Sequence, residues 1–437
     1  MSDQRARYGG AIGVVDLSTA AVTLRPAEDL LRETPGGAAA NRLLLAEYGP
    51  EAVVFGTGPL TGTFAPASAL LVATFGLPSG EPCHVPLMQR TGPDLRFAGF
   101  DFLVVRGTAV RPVFLQADAG KLRVLDGTAY AGLTVREVER RLKRECVACR
   151  TVVIVGPAAE RGSPFAAVSV GSRGSLDKVG LAGKMNRMNL KGLALSGTGG
   201  LPYEAGHLTR SRDLQLRIER EFPAKRPAFI SVLEGSCAGR ETIEPFRRVR
   251  TKALACWHCP YPCMLHAEFL RNDPGRRAPE EGEGGLVLAD HLGWAALAAR
   301  RGKGAFALAE ECVALGLDPV AAAGLLPAAD GPEGDRAFLQ GLVRDGAAVW
   351  ETTGDKIPLG GIPVDSHRRR FSGVPPVGEA ALRDERIARS LVLGICPIFL
   401  LTTGLRDEEL LPFAEAAEEE RVSLAAALPG AIRTLTG

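Results

Sequence analysis

No run of eighteen or more apolar residues interrupts this 437-residue chain, and no basic segment followed by an apolar core opens it. Neither membrane insertion nor export is expected, and the chain is read as cytoplasmic. A basic stripe is missing too: 52 Lys and Arg face 50 Asp and Glu, leaving a net charge of +2 with both signs interspersed. That balance argues against a nucleic-acid partner. Nor is there an even set of cysteines. Nine in a chain without a secretion signal favour thiols and metal ligands over a disulfide framework. A fixed-period repeat and a low-complexity tail are also lacking, which leaves a globular chain long enough for two or three domains.

What is present divides into two textures. Up to about residue 200, short β-branched or aliphatic runs are punctuated by Gly and Pro. They include 11–17, 52–56, 70–74, 100–105, 113–117, 122–125, 151–155 and 165–170. Asp118-Ala119-Gly120 reads as a hairpin turn, residues 37–48 as a helix, and Thr134-Val135-Arg136-Glu137 as a capping box opening another. Beyond Gly197-Thr198-Gly199-Gly200 the pattern becomes Ala- and Leu-rich, predicting helices over 207–222, 286–301, 305–315, 337–344, 379–393 and 407–427. The expected class is α+β, with a β-rich domain over 1–203 and helical domains over 204–437.

The densest chemistry lies in Cys256-Trp257-His258-Cys259-Pro260-Tyr261-Pro262-Cys263, a C-x2-C-x3-C run within the half expected to be helical. Three thiolates so close suit a soft metal and leave one coordination position to be filled from elsewhere. A histidine such as His258 or His266 would complete a zinc site; a distant cysteine would complete an iron–sulfur cluster. Cys146 and Cys149 form a second C-x2-C, after the basic run Arg140-Arg141-Leu142-Lys143-Arg144, and are read as structural.

Several phrases, in order, carry a family resemblance. They are Tyr8-Gly9-Gly10, Gly56-Thr57-Gly58-Pro59-Leu60-Thr61-Gly62-Thr63, Gly92-Pro93-Asp94-Leu95-Arg96-Phe97-Ala98-Gly99-Phe100-Asp101 and Val155-Gly156-Pro157-Ala158. Asn189-Leu190-Lys191-Gly192, the cysteine run, Leu315-Gly316-Leu317-Asp318 and Leu393-Gly394-Ile395-Cys396 continue it. Together they resemble the aldehyde:ferredoxin oxidoreductase family. The resemblance implies a 4Fe-4S cluster held by Cys256, Cys259, Cys263 and Cys396. It also implies a tungsten or molybdenum ion on two pterins, between the β-rich domain and the helices.

Against that pattern the pterin phrases depart. Ser68-Ala69 stand where the family shows a Gly-Arg that reaches phosphate, and the glycine-rich third loop carries Asp177 and Val179. Ala314, Leu391 and Val392 replace polar residues of the pterin-binding phrases. Asp318 is the pterin carboxylate that remains, and Arg90, Arg173 and Lys178 are the charges left for phosphate. No catalytic residue is assigned. The chain is also shorter than typical members, mainly between Asp318 and Cys396. The resulting expectation is a degenerate paralogue that keeps the cluster without tungstopterin. It would act as an electron-transfer or partner subunit beside ferredoxin, another redox protein or a full-length relative. The alternative is an active tungstopterin enzyme oxidising aldehydes to carboxylic acids with ferredoxin as acceptor.

Overall fold

The computed structural model describes residues 10–77, 80–146, 149–171, 180–197, 199–201, 205–234, 249–261, 264–269, 286–288, 297, 300–327, 331–346, 380–414 and 418–436. Its first sheet has six strands, ordered β2-β1-β6-β3-β4-β5. These are β1 (Ala11–Asp16), β2 (Ala21–Pro26), β3 (Val53–Thr57), β4 (Leu71–Gly76), β5 (Pro82–Leu87) and β6 (Phe100–Arg106). The second sheet is ordered β10-β9-β11-β7-β8. It contains β7 (Val113–Asp118), β8 (Lys121–Asp126), β9 (Thr151–Val155), β10 (Val168–Val170) and β11 (Leu190–Ser196).

Strand periodicity explains how these sheets stack. Successive side chains point to opposite faces. Val53, Phe55, Leu103 and Val105 of the first sheet therefore share one core with Leu115, Ala117, Val153, Val155, Leu193 and Leu195 of the second. The alternate residues Val54, Phe102 and Val104 face away, against Ala40, Leu44 and Leu45 of helix α2 (Gly37–Tyr48), which follows α1 (Glu28–Glu33). On the far side, Phe114, Val152, Ile154 and Ala194 meet Val135, Val138 and Leu142 of α4 (Val135–Glu145). Sheets buried on both faces need no polar alternation, which is why these strands read as continuous apolar runs. Between α2 and α4 in sequence lies the short α3 (Thr91–Phe97). The Thr134–Glu137 capping box forms as expected.

The two sheets repeat one topology. In each, a hairpin's first strand pairs in parallel with the unit's last strand, which pairs antiparallel with a third strand, itself antiparallel to a fourth. The parallel ladders even skip a residue at matching points, Asp101 in β6 and Lys191 in β11. Each bulge follows a left-handed residue, Gly99 (φ 96°) or Asn189 (φ 55°). Each bulged side chain is buried in an ion pair: Asp101 with Arg96 of α3 at 3.1 Å, and Lys191 with Glu160 of α5 (Pro157–Glu160). The duplication is one of backbone, with the charges exchanged.

Helices dominate the rest: α6 (Leu181–Arg187) within the second unit, then α7 (Ala205–Glu234), α8 (Ala305–Leu315), α9 (Pro319–Leu325), α10 (Pro332–Arg344), α11 (Ala380–Leu393), α12 (Pro397–Thr403), α13 (Asp407–Leu410) and α14 (Glu418–Thr436). The segment expected as a single helix over 407–427 is thus divided. A larger correction concerns residues 249–288. There β12 (Val249–Leu254), β13 (Met264–Phe269) and β14 (Leu286–Leu288) form an antiparallel sheet, so the helix expected from 286 begins instead as a strand. Ladder pairing with β13 overrides the local Leu-rich pattern there. The cysteine run, expected within a helical half of the chain, accordingly lies between two antiparallel strands. No helix among the described residues is long and apolar enough to cross a membrane.

Candidate functional site

The site is organised by the connection from β3 to β4, residues 58–70, which is buried almost throughout. It is folded on itself by short-range bonds. Thr61 Oγ donates to the Leu70 carbonyl at 3.0 Å, Ser68 Oγ to the Thr63 carbonyl at 2.9 Å, and the Gly62 N–H to the Ser68 carbonyl at 2.8 Å. From this frame it reaches outward in two directions. The Leu60 N–H donates to Leu393 and the Leu70 N–H to Gly394, fixing the end of α11. Gly58 must be glycine there, because a Cβ would lie 2.2 Å from the Leu393 carbonyl carbon.

Ala67 is the junction. Its carbonyl accepts the Cys396 N–H at 3.1 Å, and its own N–H donates to the His258 carbonyl at 2.9 Å. One peptide neighbourhood therefore ties the segment holding Cys396 to the loop holding Cys256 and Cys259. A third link runs from the Trp257 N–H to the Gln89 carbonyl at 2.9 Å. Ala67 (φ 57°), Gln89 (φ 72°) and His258 (φ 49°) all occupy the left-handed region. Such backbone costs a non-glycine residue about 1–2 kcal/mol and persists where its surroundings over-determine it. Three linked instances lie around the described cysteines of this motif.

Cys396 is buried and caps α12, its carbonyl accepting the Leu400 N–H. Cys256 and Cys259 are half-buried against the same apolar cluster, and the Cys259 N–H turns back to the Cys256 carbonyl at 3.2 Å. Cys263 lies outside the described residues, as do Arg173 and Lys178. Among the described residues, no three His, Cys, Asp or Glu side chains form a metal-binding group. The donor chemistry of the loop still fits a soft metal. Trp257, between Cys256 and Cys259, carries a buried indole N–H with no hydrogen-bond partner among the described residues, a donor that a sulfur acceptor would satisfy. His258 is packed edge-on against Phe64, and burial pushes its pKa below the ordinary value. His266 stands in the β13 ladder opposite Lys252.

The residues expected to hold pterin and phosphate are placed differently. Arg90 stacks over the Trp257 ring, 4.5 Å from its centroid, and pairs at 2.9 Å with buried Asp94. Its charge is matched within the protein. Asp318 is buried at the α8–α9 connection, where its N–H donates to Phe165 and its carbonyl accepts from Ala322. Neighbouring Leu317 belongs to the core between the sheets, whereas Cys396 belongs to the core of α7, α11 and α12. Ser68, Ala69, Leu391 and Val392 are fully buried, the last two as apolar filling. The described residues at these positions do not fit a tungstopterin.

The family profile for the aldehyde ferredoxin oxidoreductase N-terminal domain matches residues 12–197, both duplicated sheets. Over these residues the chain is similar to the aldehyde ferredoxin oxidoreductase family. A tungsten-containing aldehyde ferredoxin oxidoreductase of Pyrococcus horikoshii is 34% identical over 154 residues, covering 34% of this chain and 25% of that protein. The Thermococcus kodakarensis protein of the same description is 29% identical over 200 residues, 43% of this chain and 33% of the relative. An aliphatic sulfonate oxidoreductase WOR-like subunit of Pyrococcus furiosus is 26% identical over 221 residues, 45% and 35% of the two chains. The matches thus span a quarter to about a third of each relative's length. Among solved structures, a chain of the active site complex BamBC of benzoyl coenzyme A reductase with 1,5-dienoyl-CoA superposes with a TM-score of 0.69. At 15% identity, covering 98% of this chain and 88% of that one, it shows a shared fold.

Sequence reasoning missed the parts of the site that bear no reactive group. Ala67, Gln89 and Trp257 have no motif of their own. The glycines at 58 and 394 were the available signal, since each sits in a phrase where backbone must approach backbone.

Proposed function

We propose that this chain is a member of the aldehyde ferredoxin oxidoreductase family and an iron–sulfur electron-transfer subunit. Cys256, Cys259, Cys263 and Cys396 would hold a 4Fe-4S cluster, and the chain would work beside ferredoxin, another redox protein or a full-length relative. The observation that carries the reading is the double hydrogen bond through Ala67, which draws the Cys396 segment and the Cys256–Cys259 loop to one place. When bound, such a cluster supplies single-electron transfer at a potential tuned by hydrogen bonds to its sulfurs and by burial. The chain's own contribution is preorganisation. Left-handed Ala67, Gln89 and His258 hold the loop, Trp257 between Cys256 and Cys259 in sequence offers a buried indole N–H, and Cys396 caps α12.

Partnership draws support from the company the chain keeps: one relative is described as a WOR-like subunit, and the structural neighbour comes from a two-protein complex. Tungstopterin has no place in this reading, because Leu391 and Val392 are apolar core where the resembled family has an Asp and a Ser. Metal analysis of anaerobically purified protein tests the reading. About four irons per chain and a brown chromophore bleached by dithionite are expected. Stoichiometric tungsten with a releasable pterin would favour the aldehyde-oxidising alternative, and stoichiometric zinc in a colourless preparation would remove the cluster.

A further inference from the structure

A second pair of cysteines stands apart from the cluster loop, at the far end of α4. Cys146 caps that helix, and the Cys149 N–H donates to the Cys146 carbonyl at 2.9 Å. A bond from residue i to residue i+3 closes a turn and holds the two Cα atoms within about 7 Å, the separation a disulfide bridges. The side chains converge as well. Cys149 is buried, with its thiol donating to the Thr151 carbonyl at 3.6 Å, and burial together with the neighbouring Cys146 sulfur pushes its pKa up to about 12.

Cys146 is more exposed. It is half-buried, and its sulfur accepts the Gln116 amide N–H at 2.9 Å and lies 3.9 Å from Ser196 Oγ. Gln116 is itself held by Arg123, whose guanidinium donates to the amide oxygen at 3.4 Å. One accessible, oriented sulfur therefore stands beside one enclosed sulfur, the arrangement of an attacking and a resolving thiol.

We propose that Cys146 and Cys149 are a peroxide-reactive dithiol that closes reversibly to a disulfide between the end of α4 and the start of β9. The Cys146 sulfur attacks a hydroperoxide, cleaving the O–O bond, taking one oxygen as S–OH and releasing water or an alcohol. The Cys149 sulfur then attacks the Cys146 sulfur and expels the hydroxyl, which leaves as water with the Cys149 proton. Two thiols lose two electrons, and the peroxide accepts them. A dithiol reductant reverses the step by exchange. The turn geometry carries this inference independently of any cluster.

Peptide mapping of the full-length protein tests it. After brief hydrogen peroxide treatment, open thiols are blocked with iodoacetamide before digestion without reductant. A peptide linked through Cys146 and Cys149, lost on dithiothreitol treatment, is expected. In untreated protein, Cys146 should alkylate more than about tenfold faster than Cys149. In Cys149→Ser, dimedone should label Cys146. Recovery of Cys146 as sulfinic acid with Cys149 still alkylatable, or of both as unreacted thiols under the same treatment, overturns the proposal. The wild-type map decides even if the variant does not fold.

Discussion

Removing the Arg96 charge should loosen both the first sheet and the cysteine loop. The guanidinium is almost fully buried, 3.1 Å from Asp101, and also donates to the Thr61 carbonyl at 2.6 Å. Asp101 accepts the Gly10 N–H at 2.6 Å as well, so it retains a donor when Arg96 is gone, yet it becomes a buried carboxylate without its cation. Breaking a buried pair from one side costs about 3–5 kcal/mol, a large part of the roughly 5–15 kcal/mol that holds a domain together. Arg96→Met keeps most of the side-chain volume, so the loss reports charge and hydrogen bonds rather than a cavity. Urea denaturation should show a midpoint shift of that size. The double variant with Asp101→Asn should be less unstable than the two single losses summed. Because Thr61 belongs to the loop that anchors Ala67, Cys256 and Cys259 should also alkylate faster in metal-free Arg96→Met. A loss below about 1 kcal/mol, or strict additivity in the cycle, would refute the reasoning.

Three further outcomes follow from the same geometry. Cys396→Ser should lower iron content and shift the spectrum of what remains, measured by metal analysis and EPR; unchanged iron would show that Cys396 is no ligand. Gly58→Ala places a methyl 2.2 Å from the Leu393 carbonyl carbon and should cost about 3 kcal/mol or more, read as loss of soluble folded protein. Thr134→Ala removes the α4 capping box and should cost about 1 kcal/mol at neutral pH. Bonding from the Thr134 hydroxyl and N–H holds Glu137 below its ordinary pKa of 4.5. The hydroxyl's share of that lowering is full above 4.5 and lost as pH falls through the lowered value, so the difference between the two proteins should narrow in acid.

The legible parts of the fold were those with local causes. Runs such as Thr151–Val155 are β-branched, buried on both faces and bounded by turns, and the Thr134 capping box is complete within four residues. What remained hidden depended on partners far away. β11 begins in Asn189-Leu190-Lys191, where a buried lysine interrupts the apolar pattern; its reason is Glu160, 31 residues earlier. The duplication escaped notice because it preserves backbone events, a left-handed residue and then a bulge, while exchanging Asp101 for Lys191. Similarly, the Ala- and Leu-rich background of the second half concealed β12 to β14, whose antiparallel ladder flanks the cysteine loop.

The cysteine motif shows the same limit from the functional side. Its spacing announces soft-metal chemistry, but the arrangement depends on residues 58–70, nearly two hundred positions earlier. The apolar cluster beneath Cys396 combines Leu60, Ala65, Ala67 and Leu70 with Leu214, Ile218, Leu391 and Phe399. A boundary drawn near residue 203 therefore separates textures of sequence but crosses one core. A fragment of residues 204–437 would keep every cysteine of the motif and lose Ala67, the peptide that joins them. If preorganisation through Ala67 governs the site, that fragment should bind iron less tightly than the full chain in anaerobic chelator competition. Equal affinity would mean that the four thiols suffice and that the β-rich half serves only as a scaffold.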